Sequence, residues 1–100
     1  MNKQEYNGWT NYETWNCKLW LDNDAGLQDF QKKWLETAKN TPKVDVWTIE
    51  ETVKFTLADL IKEFVVDNVP DIQGMYADLL NAAICEINFN EIAENIIKSD

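Results

Sequence analysis

The segment from Thr48 to Pro70 constrains this chain more than any other. Ile49, Val53, Leu57, Leu60, Ile61 and Phe64 recur every three or four residues, so a helix gathers them into one stripe, whereas a strand would scatter them over two faces. Thr48 and Glu51 stand at the spacing at which each side chain satisfies the other's free backbone N–H. Asn68-Val69-Pro70 ends the helix, because proline disfavours a helical conformation in the residue before it. On the outer side, Glu50/Lys54 and Asp59/Lys62 are paired at helical spacing. A helix from about Ile49 to Asp67 follows.

The flanking sequence divides in the same way. Thr10-Asn11-Tyr12-Glu13 has capping-box spacing and predicts a helix from about Asn11 to Asp22, with Tyr12, Trp15, Leu19 and Trp20 on its apolar side. Asp22-Asn23-Asp24 reads as a tight corner in which Asn23 turns left-handed and Asp24 caps the next helix. That helix runs to about Lys39 and buries Leu27, Phe30, Trp34 and Ala38. Val44-Asp45-Val46-Trp47 alternates apolar and polar, which suggests a short extended segment. A fourth helix, about Ile72 to Ile87, uses Met75, Leu79, Leu80, Ala83 and Ile84, with Gly74 weakening its first turn. Asn88 caps a fifth, about Phe89 to Lys98, which presents Phe89, Ile92, Ala93 and Ile96. The expected fold is one all-α domain, a bundle of about five helices over residues 1–100, with residues 1–9 a flexible lead.

Composition narrows the chemistry. The chain has no histidine and no arginine, and sets 18 Asp+Glu against nine lysines, a net charge of −9. It therefore lacks the usual general base near neutral pH, the commonest metal ligand and the planar phosphate clamp. Its charge repels nucleic acid and anionic membranes, so an electrostatic partner should be basic. No apolar run approaches the roughly 18 residues of a membrane span, and the opening MNKQEYNGW has no apolar core of a signal peptide. The expected location is cytoplasmic, with Cys17 and Cys85 as buried free thiols.

Candidate sites can be ranked by the same physics. Asp22-Asn23-Asp24-Ala25-Gly26 has a calcium-loop flavour, but counted from Asp22 the glycine falls one position early and Lys33 stands where a bidentate carboxylate belongs. A capped corner is the better reading. Paired carboxylates could catalyse glycoside hydrolysis, but among so many acids proximity carries little information, and there is no phosphate loop or Cys–His pair. No enzyme, metal or cofactor is expected. Trp9, Trp15 and Trp20, joined by Tyr6 and Tyr12, read first as core. Their functional alternative is an exposed aromatic anchor for a protein partner, most naturally Trp9. Stacking on single-stranded nucleic acid would need a basic groove that the scattered lysines do not supply. The acidic surface serves solubility in one reading. In the other, Glu50, Glu51, Asp59, Glu63 and Asp67 on the third helix imitate a phosphate array and enter the groove of a basic nucleic-acid-binding protein.

Two motifs carry a resemblance. Gly8-Trp9-Thr10-Asn11-Tyr12-Glu13-Thr14-Trp15-Asn16, continuing to Leu19-Trp20-Leu21-Asp22-Asn23-Asp24, resembles the opening of a family of small uncharacterised proteins of phages, plasmids and bacterial chromosomes. Tyr76-Ala77-Asp78-Leu79-Leu80-Asn81-Ala82-Ala83, then Glu86-Ile87-Asn88 and Glu91-Ile92-Ala93-Glu94, is similar to that family's closing segment, where Trp often replaces Phe89. The resemblance implies no activity or cofactor. It implies a mobile-element setting, in which small acidic proteins that block host defence nucleases recur. It also leads to the expectation that the end segments meet, Trp15, Leu19 and Trp20 packing on Leu79, Leu80, Ala83 and Ile92. The expected function is that of an acidic inhibitor or decoy directed at a basic nucleic-acid-binding host protein. The alternative is a small structural or regulatory subunit whose charge only keeps it soluble.

Overall fold

The computed structural model describes residues 5–43 and 45–99. Five helices follow one another: α1 (Tyr12–Asn23), α2 (Ala25–Lys39), α3 (Ile49–Asp67), α4 (Met75–Cys85) and α5 (Phe89–Ser99). No strand occurs among the described residues, and the architecture is all-α. Helix α3 lies at the centre, packed along α2 on one side and α5 on the other, while α1 closes against α2 and α5. The core is Leu21 of α1, Leu35 and Ala38 of α2, Leu57, Ala58 and Ile61 of α3, and Ile92, Ala93 and Ile96 of α5. Helix α4 contributes nothing to it and runs along none of the other four.

Helices α3 and α5 match their sequence patterns. The Thr48–Glu51 capping box closes in both directions, at 2.9 and 3.0 Å. Asn88 caps α5 by accepting from the Glu91 N–H. The α3 stripe begins later than expected, because Ile49 is exposed while Leu57 and Ile61 are fully buried. Lys54 reaches across to Glu94 of α5 at 3.2 Å instead of along its own helix to Glu50.

Helix α1 turns the other way from its apolar pattern. Its inward residues are Thr14, Lys18 and Leu21, whereas Tyr12, Leu19 and Trp20 are exposed. Thr14 and Lys18 can be buried because both find polar partners. The Lys18 amino group lies against the Asp22 carboxylate and, at 3.4 Å, the Gln31 side chain. Gln31 is itself buried on α2 and donates to the Leu21 carbonyl at 2.8 Å, while Gln28 donates to the Asp22 carbonyl. These amides satisfy carbonyls that α1 leaves free at its C-terminus. Helix α2 accordingly buries Gln31, Leu35 and Ala38, with Leu27 and Trp34 half-buried and Phe30 exposed. Asp24 caps α2 as expected. Asn23, by contrast, remains the last residue of α1 and does not turn left-handed.

The expected extended segment at residues 44–47 is not a strand. Val44 lies outside the described residues, and Asp45–Trp47 forms a turn that sets the Trp47 ring edge-on to Phe55 at 4.9 Å. Of the expected flexible lead, residues 1–4 lie outside the described residues. Tyr6 and Trp9 exchange backbone hydrogen bonds of 2.9 and 2.8 Å around Asn7 and Gly8. Both central residues have positive φ, 49° and 88°, as a type I′ turn requires.

Helix α4 is shorter than its pattern and begins after Gly74, not through it. Gly74 has φ 73°, a backbone that side-chain-bearing residues rarely adopt. Its glycine sets the entry to α4 instead of weakening the first turn. Met75 and Leu79, expected to be buried, are 64% and 60% exposed.

Candidate functional site

The two motifs that carry the family resemblance meet in space through backbone-directed hydrogen bonds, while of the side chains expected to join them Leu19, Trp20 and Leu79 are exposed. The cap of α1 is Asn11, one residue later than the Thr10/Glu13 box predicts. Its Oδ1 accepts from the Thr14 N–H at 2.9 Å and from the Thr14 hydroxyl at 2.6 Å, and its Nδ2 donates to the Glu86 carbonyl at 2.7 Å. The fully buried Thr14 hydroxyl in turn accepts from the Asn88 N–H at 2.9 Å. Thr10 N–H donates to the Glu91 carboxylate at 3.0 Å. The caps of α1 and α5 are thereby locked into one another, so the T-N-x-x-T and E-x-N-x-x-E elements of the two motifs form a clasp. Its placement is structural, since it leaves no buried side-chain polar atom without a partner among the described residues.

The clasp borders a recess of about 460 Å³ that holds Thr10, Asn11, Asp59, Lys62, Cys85 and Glu86 among its walls. Asp59 is the first of three exposed carboxylates, Asp59, Glu63 and Asp67, spaced four apart on α3. That spacing places them in one row, with about 6 Å of rise between neighbours. None of the three has an ion-pair partner among the described residues. Glu50 and Glu51 do not belong to this row. They lie two turns and more away, beside a different recess of about 640 Å³ that also holds Lys39, Lys54 and Lys98. The Glu51 carboxylate is engaged there by the Thr48 N–H. The structure thus divides the five acids singled out in the sequence into a free row and a pair at the lysine-bearing end.

Past Lys62, Glu63 and Asp67 open a longer acidic stretch. From residue 63 to residue 97 the chain has seven carboxylates (Glu63, Asp67, Asp71, Asp78, Glu86, Glu91 and Glu94) and no lysine, and eight of the nine lysines precede it. Glu91 and Glu94 are engaged by Thr10 and Lys54. The other five side chains face solvent. This asymmetry is visible in the sequence as a run without a cation, but net charge alone conceals it.

The aromatic residues also fall differently from expectation. Trp9 is half-buried and packs against the core, so it is not the exposed ring. Trp20 is, at 66% exposure. Tyr6, brought back by the turn at Asn7-Gly8, packs on Tyr12 and Trp15 with centroid distances of 5.2 and 4.7 Å. The Asn-Gly pair between Tyr6 and Trp9 was the available signal for that arrangement. On α4, Met75, Tyr76 and Leu79 make a second exposed apolar group. The four steps from Met75 to Leu79 make little more than one turn, so Met75 and Leu79 lie one above the other with Tyr76 beside them.

Both cysteines are free. Cys85 is exposed, contrary to the expectation that both thiols are buried. Cys17 is half-buried beside the core, and that burial pushes its thiol up from 9.0 to about 11, with Lys18 pulling weakly the other way. A raised thiol is a poor nucleophile at neutral pH. Among the described residues no group of carboxylates and thiols could hold a metal ion, and no helix is long and apolar enough to cross a membrane.

No curated protein and no solved structure matches the chain. With the clasped motifs at its two ends, the chain belongs to the family of unknown function DUF7249, whose model matches residues 2–99.

Proposed function

We propose that this protein is a non-enzymatic acidic binding protein of a phage or mobile element, a decoy that occupies the basic groove of a nucleic-acid-binding host protein. The observation that carries the reading is the row Asp59, Glu63 and Asp67, none of them ion-paired among the described residues, whose last two members begin a stretch of 35 residues without a single lysine. A charge concentrated on one part of the chain steers a basic partner and sets its orientation, whereas a charge needed only for solubility has no reason to be segregated. The mobile-element setting rests on the resemblance of the W-x-N-Y-E-T-W opening. The contacts are assigned to the row on α3, with Glu50 and Glu51 set aside because three lysines share their recess and the Thr48 N–H engages Glu51, whereas Lys62 alone lies in the recess beside Asp59.

The test is capture from bacterial lysate with the tagged chain, washed at low and high salt and then eluted with duplex DNA. A DNA-binding protein retained at low salt, released by high salt and displaced by the duplex is the expected result. A partner that survives high salt and ignores the duplex would overturn the decoy. The alternative, a subunit held by apolar contacts, is favoured by one observation, the exposed Met75, Tyr76 and Leu79. It predicts that salt-resistant outcome.

A further inference from the structure

Helix α4 is an anomaly in a chain this small. It has the most apolar sequence of the five helices, yet it buries no residue fully and runs along no other helix. Ala77, Leu80 and Ile84 are half-buried on one side, and Met75, Tyr76 and Leu79 stand outward from it, at 64%, 65% and 60% exposure. Exposed apolar side chains grouped on one helix face mark a surface that something covers.

The charges around the face say what that something is. Asp71 and Asp78 are exposed and border it along the chain, with no lysine between residues 63 and 97, while Lys62 lies with Glu86 in the recess past the end of α4. A second copy would meet this face across a two-fold axis, where each surface faces itself. Asp71 and Asp78 would then face the same carboxylates of the other copy, with no lysine from residues 63–97 to separate them. An anionic membrane is repelled by the same acids. What fits is an apolar ridge flanked by cations. We propose that the outward face of α4, Met75, Tyr76 and Leu79, docks a lysine- and arginine-flanked amphipathic helix of the partner protein, with Asp71 and Asp78 pairing its cations. This rests on the proposed function, and adds to it the place where the basic partner makes its apolar contacts. The row on α3 supplies attraction at a distance, and α4 supplies the short-range contact.

The experiment uses the full chain, labelled with nitrogen-15, and three synthetic helical peptides of equal length. The first has a leucine ridge flanked by lysines, the second the same ridge flanked by glutamates, and the third the same lysines with serine in place of leucine. Amide shifts on titration at low salt locate the site. The first peptide should perturb residues 75–86 most strongly and bind at least tenfold tighter than either control, the loss expected from one or two unburied apolar side chains or their flanking charges. Met75→Ser with Leu79→Ser should weaken it by a similar factor without changing the helical circular dichroism, since neither residue belongs to the core. If the first and third peptides bind equally and perturb Asp59–Asp67 while α4 stays silent, the α4 assignment fails and the decoy reading stands. Binding of neither lysine peptide would remove both. Concentration-dependent α4 shifts in the free protein, with sedimentation as a dimer, would make the occupant a second copy and overturn the proposal.

Discussion

At the scale of single residues, Thr14 does the most with the least. Its hydroxyl is wholly buried, donates to the Asn11 cap and accepts from the Asn88 N–H, and so joins two chain ends separated by 74 residues. Thr14→Val keeps the shape but strands the Asn88 N–H, and should cost about 1–3 kcal/mol, the penalty for an orphaned buried donor. Thr14→Ser should recover most of it. Urea denaturation of the two variants checks this, and equal midpoints would contradict the clasp. Sequence reasoning put Thr14 in a motif but not in the interior, because hydropathy ranks Tyr12 and Trp20 above it. Whether a polar side chain can be buried depends on partners far along the chain, which periodicity does not see. Lys18 and Gln31 were missed for the same reason. Cys17 offers a prediction in pH. Its folded thiol titrates near 11 against an ordinary 9.0, because burial penalises the thiolate. Below pH 9 it is protonated in both states and contributes its full stability. Between pH 9 and about 11 the unfolded chain gives up the proton first, so stability falls as pH rises through that window. Cys17→Ala should flatten that fall, measured as the urea midpoint at pH 8 and at pH 10.5.

At the scale of elements, α3 and α5 were legible almost to the residue, and α4 was legible only as a helix. For α3 the capping box, the stripe and the terminating proline all agree, so local and global preferences coincide. For α4 the apolar residues cover all of the helix but the narrow side of Asp78 and Asn81, and a stripe that wide does not say which part of it packs. Its leucines and methionine were assigned to the core, when the core closes without them. The difference can be measured. Leu57→Ala empties a fully buried site on α3 and should cost about 2–5 kcal/mol. Leu79→Ser on α4 should stay within about 0.5 kcal/mol of the wild type, as an exposed substitution does. Comparable losses in the two would show that α4 is a packed member of the bundle.

At the scale of the whole molecule, the fold places a neutralised end beside an acidic one. Lys39, Lys54 and Lys98 gather with Glu50 and Glu51 around the start of α3, while Asp59, Glu63 and Asp67 lead away from it into the stretch without lysine. The sequence shows every one of these charges. What it does not show is that the third helix has a balanced end and an unbalanced one, since that depends on α2 and α5 bringing Lys39 and Lys98 to the same recess. The central claim is that the unbalanced end binds. The most direct measurement is the affinity of the captured partner for the wild type and for the triple variant Asp59→Lys, Glu63→Lys and Asp67→Lys, as salt rises from about 50 to 300 mM. The account predicts that wild-type affinity falls at least about tenfold over that range, and that the variant binds weakly throughout with little dependence on salt. An affinity indifferent both to salt and to the three reversals would contradict it, and leave the acidic surface as a means of staying in solution.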